Sequence, residues 1–148
     1  MQKSLGKSIL IGLFSTCFAT NIMAQNPFFD TYKTPFGVPP FHLIKNEHFE
    51  PAFVEGIKQQ TAEIATITSQ KAAPTFANTI LALENSGDLL DRVGAVFFNY
   101  NSANTSDALQ KIAQTLSPQL SKHRDDIQLN AELFKRVKAV YDQRNQLK

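Results

Sequence analysis

A chain of 148 residues has the length of a single domain. Its 15 Lys and Arg against 13 Asp and Glu leave a net charge of +2, too balanced for a protein that binds nucleic acid by neutralising phosphates. A hydrophobic share of 43% excludes disorder, and the single cysteine excludes both a disulfide framework and a thiolate zinc site.

In chain order, Met1 to Lys7 is short and basic, Ser8 to Ala19 is apolar or small, and Ala24 offers a small residue at a cleavage point. This is the layout of a secretory signal peptide, and its apolar stretch is too short to span a bilayer. Residues 1–24 are therefore expected to be removed, and the product to be exported and periplasmic. The remaining 124 residues carry no thiol and no net charge. Nothing in them suggests a membrane association once the signal is cleaved.

Residues 25–50 form a strap and helix start. Pro27, Pro35, Pro39 and Pro40 alternate there with Phe28, Phe29, Phe36 and Phe41. Proline restricts its own φ and disfavours helix at the preceding residue, so residues 26–46 are predicted to be extended and to lie across a packed surface.

From Pro51 to the end the hydrophobic period is helical. Pro51 is placed in the first turn, where its missing N–H costs nothing. Phe53, Ile57, Ile64 and Ile67 form the first stripe, and Ala72-Ala73-Pro74 ends it. Thr75 is the expected N-cap of a second helix through Ile80, Leu81 and Leu83, broken by Asn85-Ser86-Gly87. A third helix from Asp88 shows Leu89, Leu90, Val93, Val96, Phe97 and Tyr100 on one face, with a loop expected from Asn99 to Thr105. Ser106 caps a fourth helix with Leu109, Ile112, Leu116, Leu120 and Ile127 on its stripe, and Pro118 predicts a kink near Leu116. Asn130 caps a fifth, whose face is Leu133, Phe134, Val137, Val140 and Tyr141. The class is all-α: an N-terminal Pro/Phe-rich extended strap followed by about five amphipathic helices in an antiparallel bundle.

Chemistry is sparse. His42, His48 and His123 are dispersed, and no His-Glu-x-x-His pair puts two imidazoles on one helix face. His123 falls beside Arg124 on a polar helix face, and each histidine reads as a surface or capping residue. The carboxylate pairs Glu47/Glu50, Asp88/Asp91 and Asp125/Asp126 sit in polar stretches or at helix ends, where acidic residues need no catalytic role. No nucleophile elbow and no phosphate-binding glycine loop occurs. Phe97, Phe98 and Tyr100 could line a groove, with only Phe98 off the apolar stripe. No catalytic, cofactor-binding or metal-ligating residue is assigned.

Three blocks carry a resemblance. TPFGVPPFHLIKNEHFEPAF (34–53), PTFANTILALENSGDLLDRVGAVFFN (74–99) and SDALQKIAQTLSPQLSKHRDDIQLNAELFKRVKAVYDQR (106–144) together resemble the N-terminal region of the thimet-oligopeptidase family of zinc metallopeptidases. The likeness is nearest to the bacterial peptidyl-dipeptidase and oligopeptidase A branches. It implies an almost wholly helical region, residues 51–148, that forms one wall of a deep substrate channel. It implies also that the complete enzyme holds zinc, acts on oligopeptides and, in the peptidyl-dipeptidase branch, releases dipeptides from their C-termini. The family's His-Glu-x-x-His helix and its glutamate ligand lie in a later catalytic domain and match no residue here. The expectation is a channel-wall part that is inactive without that domain; the alternative is a free-standing helical peptide- or protein-binding module without catalysis.

Overall fold

The computed structural model describes residues 26–146, so the expected signal peptide lies outside the described residues. Two 3-10 turns, Pro27–Phe29 and Pro35–Gly37, precede four long helices: α1 (Asn46–Thr68), α3 (Asp88–Ala103), α4 (Asp107–Gln128) and α5 (Ala131–Asp142). Between α1 and α3 a π-helical turn, Phe76–Leu81, runs into a short helix, α2 (Ala82–Glu84). A last 3-10 turn spans Arg144–Gln146. No strand occurs among the described residues, and none of their helices is long and apolar enough to cross a membrane.

The caps follow the local chemistry. Thr75 accepts from the Asn78 N–H at 3.1 Å, Ser106 from Leu109 at 3.3 Å and Asn130 from Leu133 at 3.0 Å. Each satisfies one of the donors that a helix start leaves unpaired. The start of α1 differs from expectation. It lies at Asn46, one and a half turns before Pro51, within the 25–50 strap and helix start. Burial overrides the proline signal here. Phe49 is 2% exposed and packs edge-on to Phe97 with ring centroids 5.0 Å apart, which repays helical geometry before Pro51. At the other end α1 stops at Thr68, before the Ala72-Ala73-Pro74 stop.

α3 likewise runs to Ala103, through most of the expected loop. Tyr100 holds that last turn: its ring lies 5.7 Å from Phe41 and 6.4 Å from Phe49. α4 continues unbroken through Pro118.

α1 and α3 run antiparallel, since Phe53 meets Phe97, Gly56 meets Leu90 and Gln60 meets Ser86. A Cβ on Gly56 would lie 3.0 Å from the Leu90 backbone, so a side-chain-free residue permits the close approach. Phe28, Phe49, Phe53, Val93, Phe97, Leu109 and Leu116 belong to the main core. Its aromatic pairs are tilted or edge-on and each adds roughly 0.5–1.5 kcal/mol beyond area burial.

The strap is fastened by Phe28, fully buried, and by Asn26, whose amide donates to the His48 carbonyl at 2.8 Å. It is less uniformly extended and less buried than expected. Phe29 is half-buried, while Phe36 and Phe41 are exposed.

A smaller second cluster joins Ile64, Ile67 and Leu133, with Ala82, Leu83, Ile127 and Val137 packed against it. The fifth-helix face is narrower than predicted. Phe134 and Tyr141 are 64% and 60% exposed, and Arg136 takes a buried place on α5 instead. Its guanidinium donates to the Gln70 and Ala72 carbonyls at 3.1 and 3.3 Å and to Asn78 Oδ1 at 3.2 Å. One buried side chain thereby fixes the linker between α1 and α2.

Candidate functional site

The three histidines have three different surroundings. His42 is exposed on the strap. His48, 7% exposed, is the third residue of α1, and its Nδ1 accepts the Lys45 backbone N–H at 3.1 Å. That bond fixes the neutral ring with its proton on Nε2. Burial pushes the His48 pKa below the ordinary imidazole value, against the raising effect of Glu47.

His123 departs from expectation. It is not on a polar face but buried against α1, where its Nε2–H donates to Gln60 Oε1 at 2.7 Å. The Gln60 amide reaches Ser86 in turn, joining α4, α1 and the turn before α3. Burial lowers the His123 pKa, and Asp126 opposes that shift.

His42 and His48 do share one cleft, an open space of about 900 Å³ between the strap and the start of α1, together with Asp30, Tyr32, Lys33 and Glu47. His123 lies elsewhere. Among the described residues no three His, Cys, Asp or Glu side chains converge where they could hold a metal. His48 spends its acceptor nitrogen on the helix cap, and His123 is bonded to Gln60. The described residues do not fit the zinc centre that the family likeness implies.

The carboxylate pairs are not brought into an acid–base arrangement. Glu47, Glu50, Asp88, Asp91, Asp125 and Asp126 are all exposed. Asp88 pairs with Arg92 at 3.1 Å and Asp126 with Lys122 at 2.5 Å.

The aromatic set divides as its helical spacing suggests. Phe97 is fully buried in the core, and Phe98 is half in solvent. Phe98 lines an open groove of about 550 Å³ between α1, α3 and α4, with Leu90, Gly94, Leu120 and Ile127 as apolar wall and Asp91 and Arg124 as its charged residues. Such a surface can hold an apolar or extended segment by shape. Of its polar groups, His123 is bonded to Gln60, and Asp91 and Arg124 stand exposed at its edge. The sequence reading missed the polar side of this groove, Gln60 with His123. The signal was present, because His123 continues the 116, 120, 127 stripe.

The comparisons with known proteins bear on the same residues. No family model matches the chain. It is 46% identical over 125 residues to the dipeptidyl carboxypeptidase of Salmonella typhimurium and 48% identical over 123 residues to that of Escherichia coli. These matches cover 84% and 83% of this chain and 18% of each relative. Oligopeptidase A of Escherichia coli is 27% identical over 109 residues, 74% of this chain and 16% of that protein. The chain thus spans about a fifth of the length of the relatives it matches. The chain is homologous over more than four-fifths of its length to the two dipeptidyl carboxypeptidases, and that homology places it in the thimet-oligopeptidase family of metallopeptidases, as the counterpart of its N-terminal region.

Proposed function

We propose that this chain is the N-terminal helical wall of the substrate channel of an exported zinc peptidyl-dipeptidase, and that it is inactive without the catalytic part. The observation that carries the reading is the 46–48% identity to two dipeptidyl carboxypeptidases over more than four-fifths of the chain. The chemistry of the described residues is consistent with it. They offer packed helices and an open apolar groove, with His48 in the cap of α1, His123 bonded to Gln60, and Asp88 and Asp126 in surface ion pairs. In this reading the metal and the groups that activate water reside on a separate part, and these helices guide and confine an oligopeptide. Export follows from the basic-then-apolar N-terminus.

The purified chain, assayed with added zinc on peptides with free and blocked C-termini, is expected to release no dipeptide. Chelator-sensitive release by the chain alone overturns the reading. The groove between α1, α3 and α4 favours one other reading, a peptide-binding module without catalysis. Saturable binding of a free oligopeptide by the isolated chain would support that instead.

A further inference from the structure

The strap carries a feature that the fold of this chain does not use. Of the large apolar residues that stand exposed, Phe36, Val38, Phe41 and Leu43 lie within eight positions of one another. Phe36 is fully in solvent and has φ 59° and ψ 17°, the left-handed region. It is the only non-glycine residue with positive φ among those described. A bulky side chain in that region is a genuine outlier and persists only where its surroundings impose it.

The surroundings do impose it. Pro35 precedes Phe36, Gly37 follows it with φ 66°, and Pro39 and Pro40 close the segment. The Gly37 N–H donates to the Thr34 carbonyl at 3.1 Å, the Val38 N–H donates to the Pro35 carbonyl at 3.3 Å, and the Thr34 hydroxyl donates to the Val38 carbonyl. The result is a rigid knuckle with an aromatic ring at its tip, touching nothing. A preorganised aromatic of this kind is the form of an interface anchor, because little side-chain or backbone freedom remains to be lost on binding.

What covers it is indicated by the relatives. A match of 125 residues within a chain of 148 cannot leave out residues 34–43, so the strap is part of the homologous stretch. In those relatives the same stretch belongs to a chain more than five times as long as the part it matches. We infer that the Phe36 knuckle is a docking anchor that inserts into an apolar pocket on the catalytic part of a dipeptidyl carboxypeptidase-like enzyme. The inference rests on the channel-wall reading and adds the contact that would hold the wall in place.

The test is a chimera in which residues 25–148 replace the matched stretch of the Escherichia coli dipeptidyl carboxypeptidase, measured beside the isolated chain. Phe36→Asn suits both, since asparagine tolerates the left-handed region. In the isolated chain the melting temperature is expected to stay level or rise, as strain is relieved and no contact is lost. In an active chimera it is expected to fall by about 2 °C or more, the scale of a lost interface aromatic. An active chimera whose melting is unmoved by Phe36→Asn overturns the anchor and leaves the channel-wall reading standing. Equal destabilisation of chimera and isolated chain also overturns it, because the ring then acts within this chain. A folded chimera without activity overturns the channel-wall reading itself, and the anchor with it.

Discussion

His48 and His123 are useful to this fold only while neutral. His48 accepts a backbone N–H through Nδ1, and a proton on that atom turns the acceptor into a donor and breaks the cap of α1. His123 keeps its bond to Gln60 when protonated, but its charge then lies buried between α1 and α4, with Asp126 favouring it and Lys122 opposing it. Both folded-state pKa values lie below the ordinary 6.5. A lowered folded pKa means that the unfolded chain takes up protons first, so the contribution is whole above pH 6.5 and is lost as pH falls through the lower folded value. Urea denaturation at pH 8 and pH 5 is expected to show a lower midpoint in acid. His48→Gln should shrink that difference, since glutamine at the third helical position can still reach back to the cap N–H without titrating. An undiminished difference in that variant would assign the effect to other groups. These residues also mark where the sequence was hardest to read. His123 and Arg136 occupy core positions on their helices, yet polar side chains drop out of a hydrophobic stripe. Their partners, Gln60 and Asn78, are 63 and 58 residues distant.

At the scale of elements, local signals located most helices and tertiary packing moved their ends. Thr75, Ser106 and Asn130 cap as their chemistry predicts, because a cap is decided within four residues. The start of α1 and the end of α3 depart from their local signals because Phe49 and Tyr100 meet partners that no local window contains. Glycine shows the same division. Gly56 and Gly94 both sit inside helices, where replacement by alanine favours the helix by up to about 1 kcal/mol. At Gly94 the nearest atoms to an added Cβ are 4.0 Å away on Phe98, an ordinary contact. At Gly56 they are the Leu90 backbone at 3.0 Å, which cannot yield without moving α3. Gly94→Ala is therefore expected to stabilise by about 0.5–1 kcal/mol. Gly56→Ala should destabilise by about 1–2 kcal/mol, the overpacking outweighing the propensity. Chemical denaturation of the two variants checks the opposite signs; two stabilising changes would mean that α1 and α3 can separate freely.

In the whole molecule, apolar burial is unevenly shared. The helical class was legible because every long segment has a helical period and none alternates, while the absence of a catalytic constellation left the family likeness to carry function. What the period could not show is that the helices divide between two clusters of unequal size. The main one is built from interlocked rings of Phe28, Phe49, Phe53 and Phe97 together with Val93, Leu109 and Leu116. The second has only Ile64, Ile67 and Leu133 fully buried, and α5 leaves Phe134 and Tyr141 in solvent. Regions with fewer buried apolar contacts open locally at lower free energy than the global transition. Arg136 partly offsets this by tying α5 to the linker, but its bonds to two carbonyls and one amide oxygen cannot replace a missing hydrophobic layer. Native-state hydrogen exchange of the isolated chain is therefore expected to rank the amides. Those in the middle of α1, α3 and α4 should exchange slowest, near the global limit. Those of α5 and of the Phe76–Leu81 turn should exchange faster and together, as one subglobal unit. Protection of α5 equal to that of α3 would show that the second cluster unfolds only with the first, and that Arg136 couples the two more strongly than burial alone indicates.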